Sequence, residues 1–430
     1  MRLMRRLGLV WARLATAGIV LAAAACAGTG GAPAPHGTGP ANLGPASTSP
    51  AGSGPAADGP DGQAVFVTAG TAAGSGSSTA KGSGGAKSGS SASASASAGS
   101  ASAGPEAGYP SGNATVAAAG LAVSTSDPDH VIGDGTPAGC TSAAVVTAVA
   151  EGGIITFDCG PSPVTITMTA TAKVVNTSHQ VVLDGGGKVT LSGGGKIRIL
   201  YMNTCDPAQT YATSDCWEQQ WPQLVVQNMT FTDAYSATPE SKTASYGGGA
   251  IFDEGGQLKV VNSVFTGNQC YASGPDLGGA AIRATGMYMQ VPVYITSDTF
   301  TGNSCSNGGA LSGLYANFAV YNSLLTGNKA IGLGANPATS GTPGGGSGGA
   351  IYTDGNGYNL LIDGTAMSGN TAREGGGAVF FVVDADGGAL NIDDSTLRDN
   401  PSGVFQNAPG IFDEVDSVVT SPVEAGSSVG

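Results

Sequence analysis

The carboxylates are the first residues to weigh for chemistry. Asp253-Glu254, Asp354, Asp384 and Asp386 recur in the C-terminal half, and Asp393-Asp394 stand side by side. Two carboxyl groups about 5–10 Å apart, one acting as acid and one as base or nucleophile, can hydrolyse a glycosidic bond. Asp393 and Asp394 would point to opposite faces of a strand. The others could meet only in a chain that stacks equivalent positions; solvated acidic rims are the plainer expectation. Bases are few: the repeat-bearing part holds Lys242, Lys259, Arg283, Lys329, Arg373 and Arg398. His130 and His179 have no evident triad partners, and His36 sits in low-complexity sequence. These residues name no catalytic group and no cofactor, and they lean away from an enzyme.

Residues 201–222, YMNTCDPAQTYATSDCWEQQWP, hold the strongest binding candidates. Tyr201, Tyr211, Trp217 and Trp221 lie within one segment bracketed by Cys205 and Cys216. Exposed rings on a stiffened loop suit sugar faces or a protein partner. The alternative is that the rings fold down and cover an apolar flank. Besides Cys26, six cysteines remain, and in an exported chain they are expected to pair. Cys140 and Cys159 bracket a predicted helix and strand, while Cys205 and Cys216 close a loop. Cys270 and Cys305 each follow a recurring Asn by two residues, so in a stacked fold they would sit on adjacent coils. A metal site is the competing reading, weakened by the lack of nearby His.

The elements that position these residues are repeats. Gly248-Gly249-Ala250-Ile251 leads to Phe265-Thr266-Gly267-Asn268; Gly278-Gly279-Ala280 leads to Phe300-Thr301-Gly302-Asn303. The pattern returns from Gly308 to Asn328, Gly348 to Asn370 and Gly376 to Asn400. Three residues before each Asn stands a large apolar residue. Six before it stand Asn262, Ser297, Asn322, Gly364 and Asp394, which tolerate a left-handed bend. A degenerate copy, Asn228 and Phe231, has Ala234 in place of the Asn. Short β-rich runs joined by Gly and Asn turns predict an all-β parallel solenoid, in which each coil buries its apolar face only by stacking on the next. About ten coils at roughly 4.8 Å each would give a rod of some 45–50 Å. The terminal Asn is expected to hydrogen-bond its copies on neighbouring coils. No strand–GxxxxGK[ST]–helix context accompanies the glycines.

Leu183-Asp184-Gly185-Gly186-Gly187-Lys188-Val189-Thr190-Leu191-Ser192-Gly193 resembles the first coils of right-handed β-helix proteins of the pectin-lyase-like superfamily. The GGA-[ILV] and F-x-x-N pairs resemble the repeats of polymorphic outer-membrane proteins. Together these resemblances cover residues 130–420 and imply a single-stranded right-handed parallel β-helix. In that superfamily lyases use Ca²⁺-binding acids with an Arg or Lys base, and hydrolases use clustered Asp. The polymorphic proteins end in an autotransporter barrel; no long alternating region of that kind follows here, so their adhesin role carries over weakly.

At the other end, Arg2, Arg5, Arg6 and Arg13 precede a short Ala-rich apolar run ending Ala23-Ala24-Ala25-Cys26-Ala27-Gly28. This resembles a bacterial lipoprotein signal, although Leu is usual where Ala23 stands. It implies removal of residues 1–25 and acylation of Cys26, with the protein held at the extracytoplasmic face of the membrane. An ordinary secretory signal is the alternative. Residues 26–130 are rich in Gly, Ala, Ser and Pro and are expected to form a disordered tether. Residues 131–430 are expected to form the β-helix domain, opened by a capping helix from Thr141 to Glu151 with Thr141 or Ser142 as N-cap. The formal net charge of −14 disfavours nucleic acid and polyanions unless Ca²⁺ bridges them. It fits a neutral glycan or a protein partner. The sequence thus predicts a surface lipoprotein for adhesion or recognition. A polysaccharide lyase or glycoside hydrolase and a structural envelope component are the other readings; oligomeric state is not specified.

Overall fold

Each repeat folds into one coil of a parallel β-solenoid. The computed structural model describes residues 107–210, 212–236, 247–384, 387–415, 423–425 and 428–429. Cys26, the signal segment, most of the tether and Tyr211 lie outside the described residues. Four all-parallel sheets run along the stack. Sheet 1 runs from His130–Gly133 to Val423–Ala425 and sheet 2 from Val164–Thr167 to Ser428–Val429. Sheet 3 runs from Ala172–Lys173 to Ile411–Val415, and sheet 4 is a ribbon of two-residue strands from Tyr235–Ser236 to Thr371–Ala372. A typical coil passes Gln257–Val261 in sheet 1, Val264–Thr266 in sheet 2, Gln269–Cys270 in sheet 4 and Ile282–Thr285 in sheet 3.

The interior is a set of side-chain stacks. Phe231, Phe265 and Phe300 lie face to face with ring centroids 4.9 Å apart, and Leu325, Met367 and Leu397 continue their column. The spacing is that of the strands themselves, so one apolar residue per coil suffices to make a continuous core. The predicted helix, α1 (Ser142–Glu151), buries Val145, Ala148 and Val149 in that core and packs on the first strands. Thr141 is its N-cap, accepting from the Ala144 N–H at 3.2 Å, and Gly152 ends it at φ 81°.

The recurring Asn is the most regular polar feature. The Nδ2 of Asn268 donates to Asn303 Oδ1 at 3.0 Å, Asn303 to Asn328 at 2.9 Å, Asn328 to Asn370 at 2.9 Å and Asn370 to Asn400 at 2.9 Å. Each Oδ1 also accepts the backbone N–H of the preceding Asn. The second Nδ2 proton goes to a carbonyl one coil back, that of Phe265 for Asn303. Ala234 occupies the ladder position in the degenerate coil, and its N–H donates to Asn268 Oδ1. The turn column six residues earlier is left-handed as expected at Asn228, Asn262, Ser297, Asn322, Gly364 and Asp394, with φ between 44° and 60°.

Two expectations shift. The left-handed glycines Gly248, Gly279, Gly308, Gly348 and Gly376 form one column, so the second repeat aligns as Gly279-Ala280-Ala281 rather than Gly278-Gly279-Ala280. A positive φ fixes the register where spelling alone suggests another. More substantially, folded chain starts before residue 130. Residues 107–129, assigned by composition to the tether, lie along the corner between sheets 1 and 2. Tyr109 N–H donates to Asn322 O at 2.8 Å, and Asn322 exchanges two bonds with the Ala114 backbone at 2.8 and 3.0 Å. Farther up the stack, Gln227 exchanges two with Val123 at 2.9 Å, Thr125 Oγ1 donates to Asp184 at 2.8 Å and Asp129 accepts from Ile154 N–H at 2.7 Å. This strap needs small residues and a free backbone, which is what its composition supplies.

All three disulfides join the pairs expected from local logic. Cys140–Cys159, Cys205–Cys216 and Cys270–Cys305 have Cα separations of 5.6, 5.0 and 4.7 Å, the last across adjacent coils. Among the described residues no helix is long and apolar enough to cross a membrane.

Candidate functional site

Sheet 3 carries the polar residues that could do chemistry. Strand alternation sends Tyr201, Phe252, Arg283, Ser312, Tyr352, Phe380 and Phe412 outward in one column. Asn203, Glu254, Thr285, Leu314 and Asp354 form the next outward column. Between the two, Asp253 points inward in register with Met202 and Ala284. Asp253 and Glu254 therefore part company. Asp253 is fully buried with neither carboxyl oxygen hydrogen-bonded, and burial, reinforced by Glu254, pushes its pKa well up. Glu254 and Asp354 share a column three coils apart, about 14 Å at the strand spacing.

The 201–222 loop reaches this flank from one side. The disulfide closes it, and Thr204 pins it by donating to the Cys216 carbonyl at 2.6 Å. Glu254 receives both the loop and the coil. Trp217 Nε1 donates to its Oε1 at 3.2 Å and Asn203 Nδ2 to its Oε2 at 2.7 Å. Burial raises the Glu254 pKa, and these two hydrogen bonds pull the other way. The Trp217 ring lies on the backbone of Gly286, so close that a β-carbon there would sit 2.9 Å from the indole; the ring is 54 % exposed. Glycine leaves room for this close approach, and its φ is 53°.

Of the four aromatic candidates, the three that are described, Tyr201, Trp217 and Trp221, do not form one platform. Tyr201 is buried in its column, 5.5 Å from Phe252 between ring centroids, with the Lys173 ammonium and Arg198 guanidinium over its ring. Its hydroxyl donates to Asp206 at 3.1 Å, and burial raises its pKa. Trp221 stacks on His179 with centroids 4.6 Å apart, at the loop's far end. Trp217 is the candidate that offers a broad open face at sheet 3.

A second cluster lies farther along the same flank. Asn336 Nδ2 donates to Asp276 at 2.6 Å and to Asp354 at 2.9 Å, while Tyr352 OH donates to Asp354 at 2.8 Å. Burial pushes the Asp354 carboxyl up to about 6, opposed by the Tyr352 hydroxyl. Arg283, 2 % exposed, donates to Ser312 Oγ, while its Nε has no partner; burial lowers its pKa against the attraction of Tyr352, Asp276, Asp354 and Glu254. Asp384 adds negative charge near Asp354. Among the described residues no three His, Cys, Asp or Glu are placed to hold a metal ion.

Two exposed residues of this flank carry no sequence signal of their own. Met289 projects from the turn next to the Trp217 segment. Tyr315 falls in the turn column where neighbouring coils carry Gly255, Gly286 and Gly355. One edge of its ring lies against Gly355, 3.0 Å from where a β-carbon would be, and the residue is 51 % exposed. Only the strand register reveals that a tyrosine has replaced a glycine there. No protein-family model matches the chain, and no curated protein or solved structure matches it either.

Proposed function

We propose that this chain is a lipoprotein of the extracytoplasmic face, anchored through Cys26, whose β-helix of the pectin-lyase-like kind recognises a neutral glycan on the sheet 3 flank. One observation carries the reading: Trp217 is held by Glu254 and a closed loop with one ring face against Gly286 and the other open. An indole immobilised in this way loses little entropy on stacking against a sugar. The acidic balance of the chain supports a neutral rather than anionic ligand.

Affinity electrophoresis of the full chain in gels containing neutral or acidic polysaccharides tests this. Retardation by a neutral polymer is expected, with Trp217→Ala weakening it about tenfold or more. Retardation that ignores Trp217→Ala would overturn the assignment. Incorporation of a labelled fatty acid, abolished by Cys26→Ser, tests the anchor. The Asp276–Asp354 pair, with one carboxyl raised to about 6, favours glycoside hydrolysis as the second reading. Release of reducing ends that disappears in Asp354→Asn would establish it.

A further inference from the structure

We infer that the recognition site takes an extended, neutral, β-1,4-linked polysaccharide lying parallel to the solenoid axis, stacked on Trp217 and Tyr315. The inference rests on the recognition reading above and adds the polymer class, its direction and a second contact residue.

Gly286 N–H donates to Leu314 O and Tyr315 N–H to Asp354 O, so Gly286, Tyr315 and Gly355 follow one another in a single turn column. Trp217 covers Gly286, and Tyr315 leans over Gly355. The two glycines that the rings touch therefore sit two coil rises apart, about 9.6 Å at the strand spacing. That is about the length of one disaccharide in an extended β-1,4 chain, whose alternate sugars present the same face. An α-1,4-linked glucan curls and does not keep its sugars on a straight line of rings.

The rings are also built as platforms. Each lies against a glycine, 2.9 Å for Trp217 and 3.0 Å for Tyr315 from where a β-carbon would sit, and each residue is about half exposed, at 54 % for Trp217 and 51 % for Tyr315. Half-exposed rings held against backbone suit the apolar face of a pyranose. Met289, 68 % exposed in the adjoining turn, extends the apolar strip. The nearby acids Glu254 and Asp354 and the overall charge oppose a uronate polymer.

Titration calorimetry of the full chain with cello- and chito-oligosaccharides from two to six sugars, and with maltohexaose, tests the inference. Affinity is expected to step up about tenfold between the dimer, which reaches one ring, and the tetramer, which reaches both. Tyr315→Ala should remove the step; Tyr315→Phe, which keeps the ring, should restore it. Trp217→Ala should weaken every length. Cello- and chito-oligomers differ at the 2-position, and preference for either keeps the inference. Equal binding of maltohexaose, or a flat length dependence with Tyr315→Ala silent, overturns the axial chain while leaving Trp217 recognition standing. No binding of any glycan overturns both.

Discussion

The Asn ladder and the sheet 3 flank are built by the same stacking rule and end in opposite states. Along the ladder one residue type repeats, and every amide from Asn268 to Asn370 has a copy of itself above it. On the flank the corresponding stack reads Tyr201, Phe252, Arg283, Ser312, Tyr352, and the turn beside it reads Gly, Gly, Tyr, Gly. Identity between coils satisfies polar groups without outside help. Variation between coils leaves a bare guanidinium nitrogen, an acid raised to about 6 and two open rings. In a solenoid, the repeat carries stability and its interruptions carry specificity.

The contrast can be broken most sharply at the ladder. Asn303→Ala removes four side-chain hydrogen bonds and leaves the buried Asn268 N–H without its acceptor. A loss of about 4 kcal/mol in denaturant unfolding is expected. A loss under about 1 kcal/mol would mean that the ladder follows the fold rather than supporting it.

Next in size is the pH dependence of the flank. Asp354 binds its proton more tightly when folded than the ordinary carboxylate, so its contribution is present at low pH and fades as pH rises. Thermal stability should decline between about pH 4 and pH 6, by a free energy on the order of 3 kcal/mol from this group. Asp354→Asn should flatten that part of the curve; an unchanged slope would assign it elsewhere, Asp253 being the next candidate.

Opening the loop should cost less. Cys205→Ser with Cys216→Ser removes an 11-residue closure, worth about 2–3 kcal/mol of local order. Hydrogen exchange should accelerate across 204–222 while the ladder stays protected. Uniform acceleration would show that the loop and the coils open together. The smallest effect is expected at the strap. Asn322→Ala deletes its two bonds to the Ala114 backbone and should loosen the strap by about 1–2 kcal/mol, read as faster proteolysis between 107 and 122.

Much of this architecture is legible in the chain because repeats declare their own register. The Asn ladder, the left-handed turn column and the adjacent-coil bridge Cys270–Cys305 all follow from aligning copies. Legibility ends where the alignment slips or where partners are distant. The offset at Gly278-Gly279 is hidden because glycines spell alike in either register. Asp253 looks equivalent to Glu254 until strand parity turns it inward. The strap is hidden for another reason: its partners, Gln227 and Asn322, lie 104 and 208 residues away. Low-complexity sequence says that residues 107–129 cannot build a core, and they do not; they borrow one. Trp217 is visible as a candidate, whereas Tyr315 acquires meaning only beside the glycines of its neighbours.

The strap also has a mechanical consequence. The strap crosses the coil bearing Asn322, whose sheet 1 strand is the seventh of ten, and then runs back to the N-terminal end of the stack. A pull reaching Ala107 would therefore meet the strap's hydrogen bonds one after another, a peeling geometry in which each yields alone. The coils beneath, cross-linked at Cys140–Cys159 and Cys270–Cys305, would stay wound. Unpeeled to Asp129, the strap would span about 75 Å at full extension. It would act as a force-limiting spring, lengthening before anything that shapes the sheet 3 flank is disturbed.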